Sequence, residues 1–429
     1  MASRPLQIAI IGAGPAGCTL ARLLQVSEQA SAVKVTIFER EAQLHDRDQG
    51  GTLDLHDSTG LEALRRAELL HTDEFRAIAR HDGDAIVLCD KNMRRWIDIA
   101  SSSDGGWLAQ GKPEVDRLQL RQLLLNSLVG DVVVWNKRVS KVELATDTNS
   151  TLYFEDGSSK SGFDLIIGAD GAYSIVRPLI TPQKPFYSGI GGWNMLCHRA
   201  DILRPLMNKM INRGSLFAFS DGKVVMGQQL GTGSIYISMW GLKPENWVSS
   251  SGYDVKDPKQ VKQALLEEFK DWAPELRELL ASFDETQVWP RSLVMLPTGL
   301  TWESKPGLTI MGDAAHVMCP FVGEGVNAAM ADAMELADAI KDTIKSGWSR
   351  DLLARNVEKY EHGMCKRTLR ASSMTEDIMK LMLFTPGAPT TTIEQYFVRA
   401  TSDDLPFLLR PVWKFLVNFY YFAFKAFFK

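Results

Sequence analysis

The sequence predicts an α/β fold, because three apolar, strand-like runs each lead directly into a glycine-rich turn. These runs are QIAIIG, DLIIG and LTIMG, beginning at residues 7, 164 and 308. Such runs are typical of parallel strands buried on both faces. Between the last two, FAFSDGKVVMGQQL and GSIYISMWGL alternate and are rich in β-branched and aromatic residues, which predicts antiparallel strands. We therefore expect a Rossmann-like domain, a β-sheet domain and C-terminal helices.

Composition is that of an ordinary globular protein, with 429 residues, 45% hydrophobic, 23% charged and a formal net charge of -4. This length predicts two or three domains, and the charge gives no reason to expect nucleic acid. The five cysteines are scattered and form no CxxC pair. We therefore predict neither a disulfide framework nor a metal site, and a reducing, cytoplasmic location. We see no signal-peptide pattern and no spanning stretch.

The first glycine turn, in QIAIIGAGPAGCTLARLL, fits the G-x-G-x-x-G pattern between a strand and a helix. The first glycine permits the turn, the second lets the backbone approach a pyrophosphate, and the third lets the helix pack closely. A second strand, VKVTIFER, ends at an acid placed to accept hydrogen bonds from ribose hydroxyls. The motif predicts a dinucleotide site formed by Gly12, Gly14, Pro15, Ala16, Gly17, Glu39 and Arg40. The loop by itself does not determine which dinucleotide binds.

The other two turns add charge at the ends of their strands. Asp170 lies in DLIIGADGAYSIVR, and Asp313 follows LTIMG. After Asp313, a helix opened by Gly323 and Gly325 has one apolar face. Asp313 can bind a ribitol or ribose hydroxyl, and a helix N-terminus can stabilise the negative charge of a reduced flavin ring. Val326 and Asn327, in the first turn of this helix, are further cofactor-binding candidates.

In this order and spacing, the three segments resemble the single-component FAD-dependent aromatic-hydroxylase-type monooxygenases, over roughly residues 5–385. The segments HDRDQGGTLDLHDSTG and KPEVDRLQLRQLLLNSL are similar to those of tetracycline-inactivating flavin monooxygenases. The resemblance implies that Arg47 contacts the flavin near N5 and that Arg121 contacts the FAD phosphate or ribityl region. It also implies that Pro320 and Phe321 lie beside the ring and substrate. Taken by themselves, both arginines could equally be surface ion-pair partners.

The resemblance implies a reaction cycle as well. NADPH, or NADH, docks transiently and reduces the flavin, and O2 then adds to give a C4a-hydroperoxide. Its distal oxygen passes to an electron-rich, polycyclic small molecule by hydroxylation, epoxidation or Baeyer–Villiger insertion. Two alternatives remain open: a flavin oxidase or reductase on the same fold, and a non-catalytic FAD-binding membrane adaptor.

Departures from the tetracycline-inactivating enzymes favour a different substrate. Lys223 stands where those enzymes carry an arginine, and no glutamine stands in the strand around residues 194–196. The chain has CPFVGEGVN where PPFAGQGVN is typical, so Cys319 and Glu324 are expected near the flavin edge. A polyketide, meroterpenoid or alkaloid intermediate is therefore the expected substrate. The candidate substrate contacts are Trp193, Met195, Lys223, Met226, Gln228 and Phe321.

The predicted domains are discontinuous. Residues 5–80, 112–180 and 291–345 would form the FAD-binding domain, and residues 81–111 and 181–290 the substrate-binding domain. Residues 346–384 would form a bridging helix, followed by an aromatic, basic tail at 385–429. From residue 405 on, the tail contains no acid, which suggests a helix in peripheral contact with a membrane. The alternatives are docking on the protein's own surface or on a second protomer.

Overall fold

The computed structural model describes residues 4–44, 50–99, 112–144, 150–402 and 405–427. Its strands are β1 (Leu6–Ile11), β2 (Val33–Phe38), β3 (Thr52–Asp54), β4 (Ile86–Cys89), β5 (Arg95–Ile99), β6 (Glu114–Asp116), β7 (Val133–Val134), β8 (Val139–Glu143), β9 (Ser150–Phe154), β10 (Ser159–Phe163), β11 (Leu165–Gly168), β12 (Phe186–Cys197), β13 (Ser215–Ser220), β14 (Lys223–Gln229), β15 (Ile235–Leu242), β16 (Val288–Met295) and β17 (Leu308–Ile310). Its helices are α1 (Pro15–Gln25), α2 (Glu62–Arg66), α3 (Asp73–Ile78), α4 (Arg117–Asn126), α5 (Ala200–Leu203), α6 (Pro205–Ile211), α7 (Pro258–Glu268), α8 (Pro274–Ala281), α9 (Asp313–His316), α10 (Gly325–Lys345), α11 (Arg350–Met379), α12 (Ile393–Thr401) and α13 (Arg410–Phe427). These elements confirm the α/β class.

A parallel sheet with the strand order β17-β11-β1-β2-β7 forms the Rossmann-like part. The register pairs Ile8 with Leu165 and Ile166 with Leu308, so the three apolar runs lie side by side. The parallel strands point the same way, so their carboxyl ends lie at one edge, where ligands bind in such sheets. Helices α1 and α10 pack together against this sheet.

A second sheet has the strand order β16-β12-β15-β14-β13-β4-β5 and is antiparallel except where β13 pairs with β4. Its side chains alternate between two faces, and protein covers both. The back face packs on α7 and α8. The front face, which carries Met226 and Trp240, packs on Phe321 and on the end of α11. Both faces are therefore apolar.

A short ladder between β3 and β6 lies beside this second sheet. Gln228 of β14 donates a hydrogen bond from Nε2 to Thr52 Oγ1 at 3.2 Å. On the C-terminal side, α11 packs along α10 and continues as a π-helical turn, Lys380–Phe384, into the front-face cluster. Helices α12 and α13 follow. The exact domain boundaries given above stay a prediction.

Candidate cofactor and substrate site

The turn after β1 uses its glycines for different reasons. Gly12 has φ +108°, and a Cβ there would lie 2.3 Å from the carbonyl oxygen of Ala169. A Cβ at Gly17 would lie 2.2 Å from the Gly12 carbonyl oxygen. Gly14 differs, because its φ is -80° and an added Cβ would meet no atom of the described residues within 4 Å. The fold itself requires Gly12 and Gly17, whereas Gly14 leaves open space where α1 begins at Pro15.

Behind this turn lies a buried charged cluster. Glu39 Oε2 accepts the backbone N–H of Ala13 at 2.7 Å. Arg121, only 1% exposed, donates from Nε to the Ala13 carbonyl at 2.9 Å and from Nη1 to Glu41 Oε2 at 2.6 Å. Arg121 is therefore not a surface ion-pair partner but holds the glycine turn. Arg40 is exposed beside it.

The turn after β11 is tied to the turn after β17. Asp170 Oδ2 accepts the N–H of Ile175 at 2.8 Å, and burial raises the pKa of this carboxyl. Within the described ranges, its buried Oδ1 has no hydrogen-bond partner. Arg177 donates to the carbonyl oxygens of Ala314 at 2.9 Å and Ala172 at 2.6 Å. These two targets of Arg177 are backbone carbonyls, for which the sequence has no local signal.

Asp313 begins α9 and is exposed at the carboxyl edge of the parallel sheet. Gly312, with φ +60°, makes the preceding turn and donates its N–H to Asp332 Oδ2 at 2.8 Å. The same oxygen lies 2.7 Å from His316 Nε2. Asp332 thus anchors the segment before and after Asp313, and the Asp313 carboxylate is left to face the site.

The N-terminus of α10 has backbone N–H groups that no carbonyl of the helix accepts. The first intrahelical bond runs from Ala328 N–H to Glu324 O, so the earlier N–H groups, including that of Val326, have no partner in the helix. Gly323 has φ +73°, which favours glycine for backbone reasons. Gly325 has no positive φ, and in the part of the chain that the structure describes an added Cβ would meet nothing within 4 Å. As at Gly14, packing among the described residues does not require a glycine here, because a side chain would extend into open space.

The Asn327 side chain serves the fold. Its Nδ2 donates to the Asp54 carbonyl at 2.8 Å, and its Oδ1 accepts the His56 N–H at 2.9 Å. Both ends of the Asn327 amide are therefore used by residues 54–56, and the prediction that Asn327 binds cofactor stays a prediction for its backbone N–H. His56 also lies 3.5 Å from Glu324, measured from Nδ1 to Oε1. Burial and the nearby charge of Lys112 lower the pKa of His56 to about 4.

The front face of the second sheet carries an aromatic cluster. Trp240 Nε1 donates to Asn194 Oδ1 at 3.0 Å, and the Trp240 ring meets the half-buried Phe321 edge-on at 6.1 Å. Tyr236 and Trp289 form a second ring pair at 6.1 Å. Except for Phe321, sequence reasoning missed these residues. The strict alternation along β15 was the sequence signal for its front-face residues, but it can be used only when the orientation of the strand is known.

Three of the predicted substrate contacts lie on the back face of the sheet, away from Phe321. Trp193 is 1% exposed and packs edge-on against Trp247 at 5.6 Å, and Met195 is fully buried in the same cluster. Lys223 donates from Nζ to the Glu268 carbonyl at 2.9 Å, on the α7 side of the sheet. The sheet itself separates all three side chains from the front face.

The remaining predicted contacts have mixed positions. Met226 and Gln228 lie on the front face with Phe321. Pro320 is exposed next to Phe321. Cys319 is buried in the core, and burial raises the pKa of its thiol to about 11, so it stays protonated. The predicted role of Arg47 falls on a residue outside the described ranges.

Arg117 is a charged group that sequence reasoning missed. It begins α4, one helical turn before Arg121, and this i, i+4 spacing could have identified it. Its side chain is exposed, and its guanidinium lies within electrostatic range of the Asp313 carboxylate. Tyr236 and Arg291 of the front face also act on it. Arg117 is therefore near enough to both the Asp313 turn and the second sheet to interact with their charges.

These features fit an anionic dinucleotide. Two glycines that the fold does not need, Gly14 and Gly325, leave open space at the N-termini of α1 and α10. Exposed Asp313 and the Asp170 oxygen that has no partner among the described residues are acceptors that a ligand hydroxyl could use. FAD, which has a pyrophosphate, sugar-like hydroxyls and an aromatic ring, matches this set of donors, acceptors and open backbone.

Comparison with known proteins also identifies an FAD-binding protein. The family model described as FAD binding domain matches residues 5–371. Monooxygenase penA of Penicillium thymicola is 30% identical over 377 residues, covering 78% of this chain and 84% of that protein. Klebsiella pneumoniae HpxO, complexed with FAD and uric acid, has a TM-score of 0.72 at 20% identity and covers 96% of both chains. Tetracycline destructase Tet(51) has a TM-score of 0.66 at 17% identity, over 96% of this chain and 98% of that one.

At these identities the two structural likenesses establish the fold alone, whereas the family match and the Penicillium relative extend over most of the sequence. The turns that the family model spans are those built around Gly12, Asp170 and Asp313. The chain belongs to the FAD-binding-domain family, and it is a member of the FAD-dependent monooxygenases with FAD as its cofactor.

Proposed function

We propose that this enzyme uses NAD(P)H and O2 to insert one oxygen atom into an electron-rich, polycyclic small molecule of the natural-product type. The observation that carries the proposal is the pairing of two surfaces. The glycine-opened N-terminus of α10 and Asp313 form one surface, and the aromatic front face around Trp240 and Phe321 forms the other. A planar cofactor and a planar substrate would meet between them.

Bound FAD would supply the redox chemistry, which is oxidation of NADPH or NADH and activation of O2. The reaction balances as substrate, O2, NAD(P)H and a proton giving oxygenated substrate, NAD(P)+ and water. The protein contributes binding, orientation and exclusion of water. No acid–base dyad is needed for this chemistry.

The residues around the site have distinct proposed roles. The free N–H groups at the start of α10 would stabilise negative charge on the reduced ring. Asp313 would bind a hydroxyl of the FAD chain, and Arg117 would balance its charge. Arg47 is proposed to lie near the flavin N5, as the resemblance implies, with Pro320 beside the ring. Asp170, Glu39 and the turn at Gly14 would hold the remainder of the cofactor.

The aromatic cluster supports a polycyclic substrate. The half-buried rings of Phe321 and Trp289, backed by the buried Trp240 and Tyr236, present flat apolar surface, which favours a fused-ring molecule over a small polar one. Met226 adds an adaptable apolar contact. Arg117, beside Tyr236 and Arg291, would attract an anionic or phenolic group on such a molecule. Lys223 no longer bears on the substrate, because it lies on the back face.

Anaerobic reduction of the purified holoenzyme tests the proposal. NADPH, and separately NADH, should bleach the flavin absorbance, and a substrate should accelerate the bleaching. Admitting isotopically labelled O2 should then place one labelled atom in the product. Substrate oxidation without NAD(P)H would instead favour a flavin oxidase. Product formation without O2 uptake would favour a reductase, and a flavin that NAD(P)H does not reduce would favour a non-catalytic adaptor.

A further inference from the structure

Helix α13 exposes a large apolar surface, which we call the outer face. Its members are apolar or aromatic and more than half exposed, and they extend from the 3-10 turn before α13 to its last turn: Phe407, Leu408, Leu409, Val412, Phe415, Leu416, Phe419, Tyr420, Phe422 and Phe427. Phe415 and Phe419 stack on each other at 6.4 Å. Such a continuous patch marks an interaction site.

The opposite side of α13 is firmly attached to the protein. Tyr421 donates from its hydroxyl to the Trp96 carbonyl at 3.1 Å, and Trp413 Nε1 donates to Thr401 Oγ1 at 2.8 Å. Val417 and Tyr421 are buried between these contacts. Docking on the protein's own surface therefore accounts for the inner face of α13. It leaves the outer face uncovered by the described residues.

The charge of this segment is opposite to that of the rest of the protein. The whole chain carries -4, and residues 405–429 contain four basic and no acidic residues, so the remaining chain carries -8. On the helix, Lys414 and Asn418 lie together on one flank of the outer face. Both line a groove of about 410 Å³ between the ends of α11, α12 and α13. Lys425, on the same flank, pairs with Glu394 at 2.6 Å.

We infer that the outer face of α13 lies in the surface of an anionic lipid bilayer. An aromatic face bounded by a basic flank is the pattern of an interfacial helix, with its rings among the acyl chains and its lysines at the headgroups. A second copy of the chain is a poorer occupant, because two acid-free, basic helices would face each other. Within the described ranges, every helix is too short or too polar to traverse a bilayer. Contact is therefore peripheral, along a helix about 27 Å long.

The location of α13 has a consequence that rests on the proposed function. The inner face of α13 packs into the same cluster that holds Trp240 and Phe321. Membrane attachment would therefore place the substrate sheet close to the bilayer, where an apolar polycyclic compound partitions. Vesicle binding does not depend on catalysis, so the docking inference and the proposed reaction can fail separately.

Co-sedimentation with vesicles tests the inference. Full-length holoenzyme is mixed with vesicles of phosphatidylcholine alone and of phosphatidylcholine with phosphatidylglycerol. The wild type should bind the anionic vesicles, and the combined Phe415→Ser, Phe419→Ser and Phe422→Ser variant should lose binding by at least about tenfold for each ring. Lys414→Gln should weaken binding to anionic vesicles about fivefold and leave binding to neutral ones unchanged.

A matched control removes equally exposed apolar side chains elsewhere: Ile202→Ser, Leu203→Ser and Leu206→Ser, which are 58–75% exposed in the wild type. This variant should bind vesicles as the wild type does. FAD absorbance and the melting temperature confirm folding of each variant. Wild type that stays in the supernatant, or an α13 variant that sediments as before, overturns the inference. If the wild type is a dimer that does not bind vesicles and the α13 variant is a monomer, the outer face would be assigned to a second copy.

Discussion

Arg177 Nη1 donates a 2.9 Å hydrogen bond to the carbonyl oxygen of Ala314, the residue that follows Asp313. The same guanidinium donates to Ala172, in the turn after β11. Arg177 is only 2% exposed, and burial lowers the pKa of its guanidinium. One buried side chain therefore couples the turn that carries Asp170 to the turn that carries Asp313.

Replacing Arg177 should weaken cofactor binding indirectly, by releasing the turn that carries Asp313. Arg177→Met leaves two carbonyl oxygens without their donors, and we expect the free energy of unfolding to fall by about 2–4 kcal/mol. FAD affinity should fall about tenfold, because Asp313 loses its fixed position. Urea unfolding of the apoprotein and flavin-fluorescence titration measure the two effects. Arg177→Lys, which retains one donor group, serves as the control. Normal FAD affinity in a destabilised Arg177→Met protein would show that the position of Asp313 does not depend on the hydrogen bonds of Arg177.

The glycines divide into two classes that mutation can separate. Gly14→Ala and Gly325→Ala introduce a methyl group into open space, so apoprotein stability should stay within about 0.5 kcal/mol of wild type. FAD affinity should nevertheless fall by roughly tenfold or more, because the methyl group occupies space that the cofactor needs. Fluorescence titration with FAD measures the affinity.

Gly12→Ala and Gly17→Ala are the matched controls. Their added Cβ atoms would lie 2.3 and 2.2 Å from backbone oxygens, so the apoprotein itself should lose about 3 kcal/mol or more of unfolding free energy. Equal apoprotein stability across all four variants would contradict the division. Unchanged FAD binding in Gly14→Ala and Gly325→Ala would remove them from the cofactor site.

The front-face assignment predicts different effects for two neighbouring tryptophans. Trp240→Phe loses the bond to Asn194 and the edge contact with Phe321, so KM for an identified substrate should rise about tenfold. Trp193→Phe, on the back face, should lower the free energy of unfolding by about 1–2 kcal/mol and leave KM unchanged. Steady-state kinetics and urea unfolding of both variants test this. A larger KM effect from Trp193 would reverse the assignment of faces.

Because of His56, we expect the folded protein to lose stability as the pH falls. Burial and Lys112 lower its pKa in the folded protein from 6.5 to about 4, so the unfolded chain takes up a proton first as the pH falls. The resulting stability is present above about pH 6.5 and is lost as the pH falls towards 4. His56→Gln should flatten this part of the profile, measured by urea unfolding from pH 7 to 4. Identical pH slopes for wild type and variant would contradict the role of His56.

Much of the cofactor site could be predicted from sequence, because its signals are local. At Gly12, Asp170 and Asp313, a strand, a turn and their special residues are contiguous in the chain. Parallel pairing then brings the three turns to one edge of the sheet. Arg121 was a candidate only through the family resemblance of its segment, and the structure shows that it is buried against the glycine turn.

The orientation of the substrate sheet could not be predicted in this way. Side chains along a strand alternate with a period of two, and here both faces are buried in apolar clusters. The pattern therefore shows that Trp193 and Asn194 lie on opposite faces without showing which face meets the cofactor. Tertiary contacts decide which face is available, because α7 and α8 cover one face of the sheet and Phe321 packs on the other.

Sequence alone thus determined the α/β class, the three glycine turns and the nucleotide-binding edge, since each depends on short-range backbone geometry. Tertiary structure decided which residues of the second sheet can reach a substrate. It also decided that the Asn327 amide holds residues 54–56 and that Arg177 clamps Ala314, 137 residues away. The physical reason is that these roles belong to contacts between segments distant in sequence, and no local pattern of residue types encodes the partner.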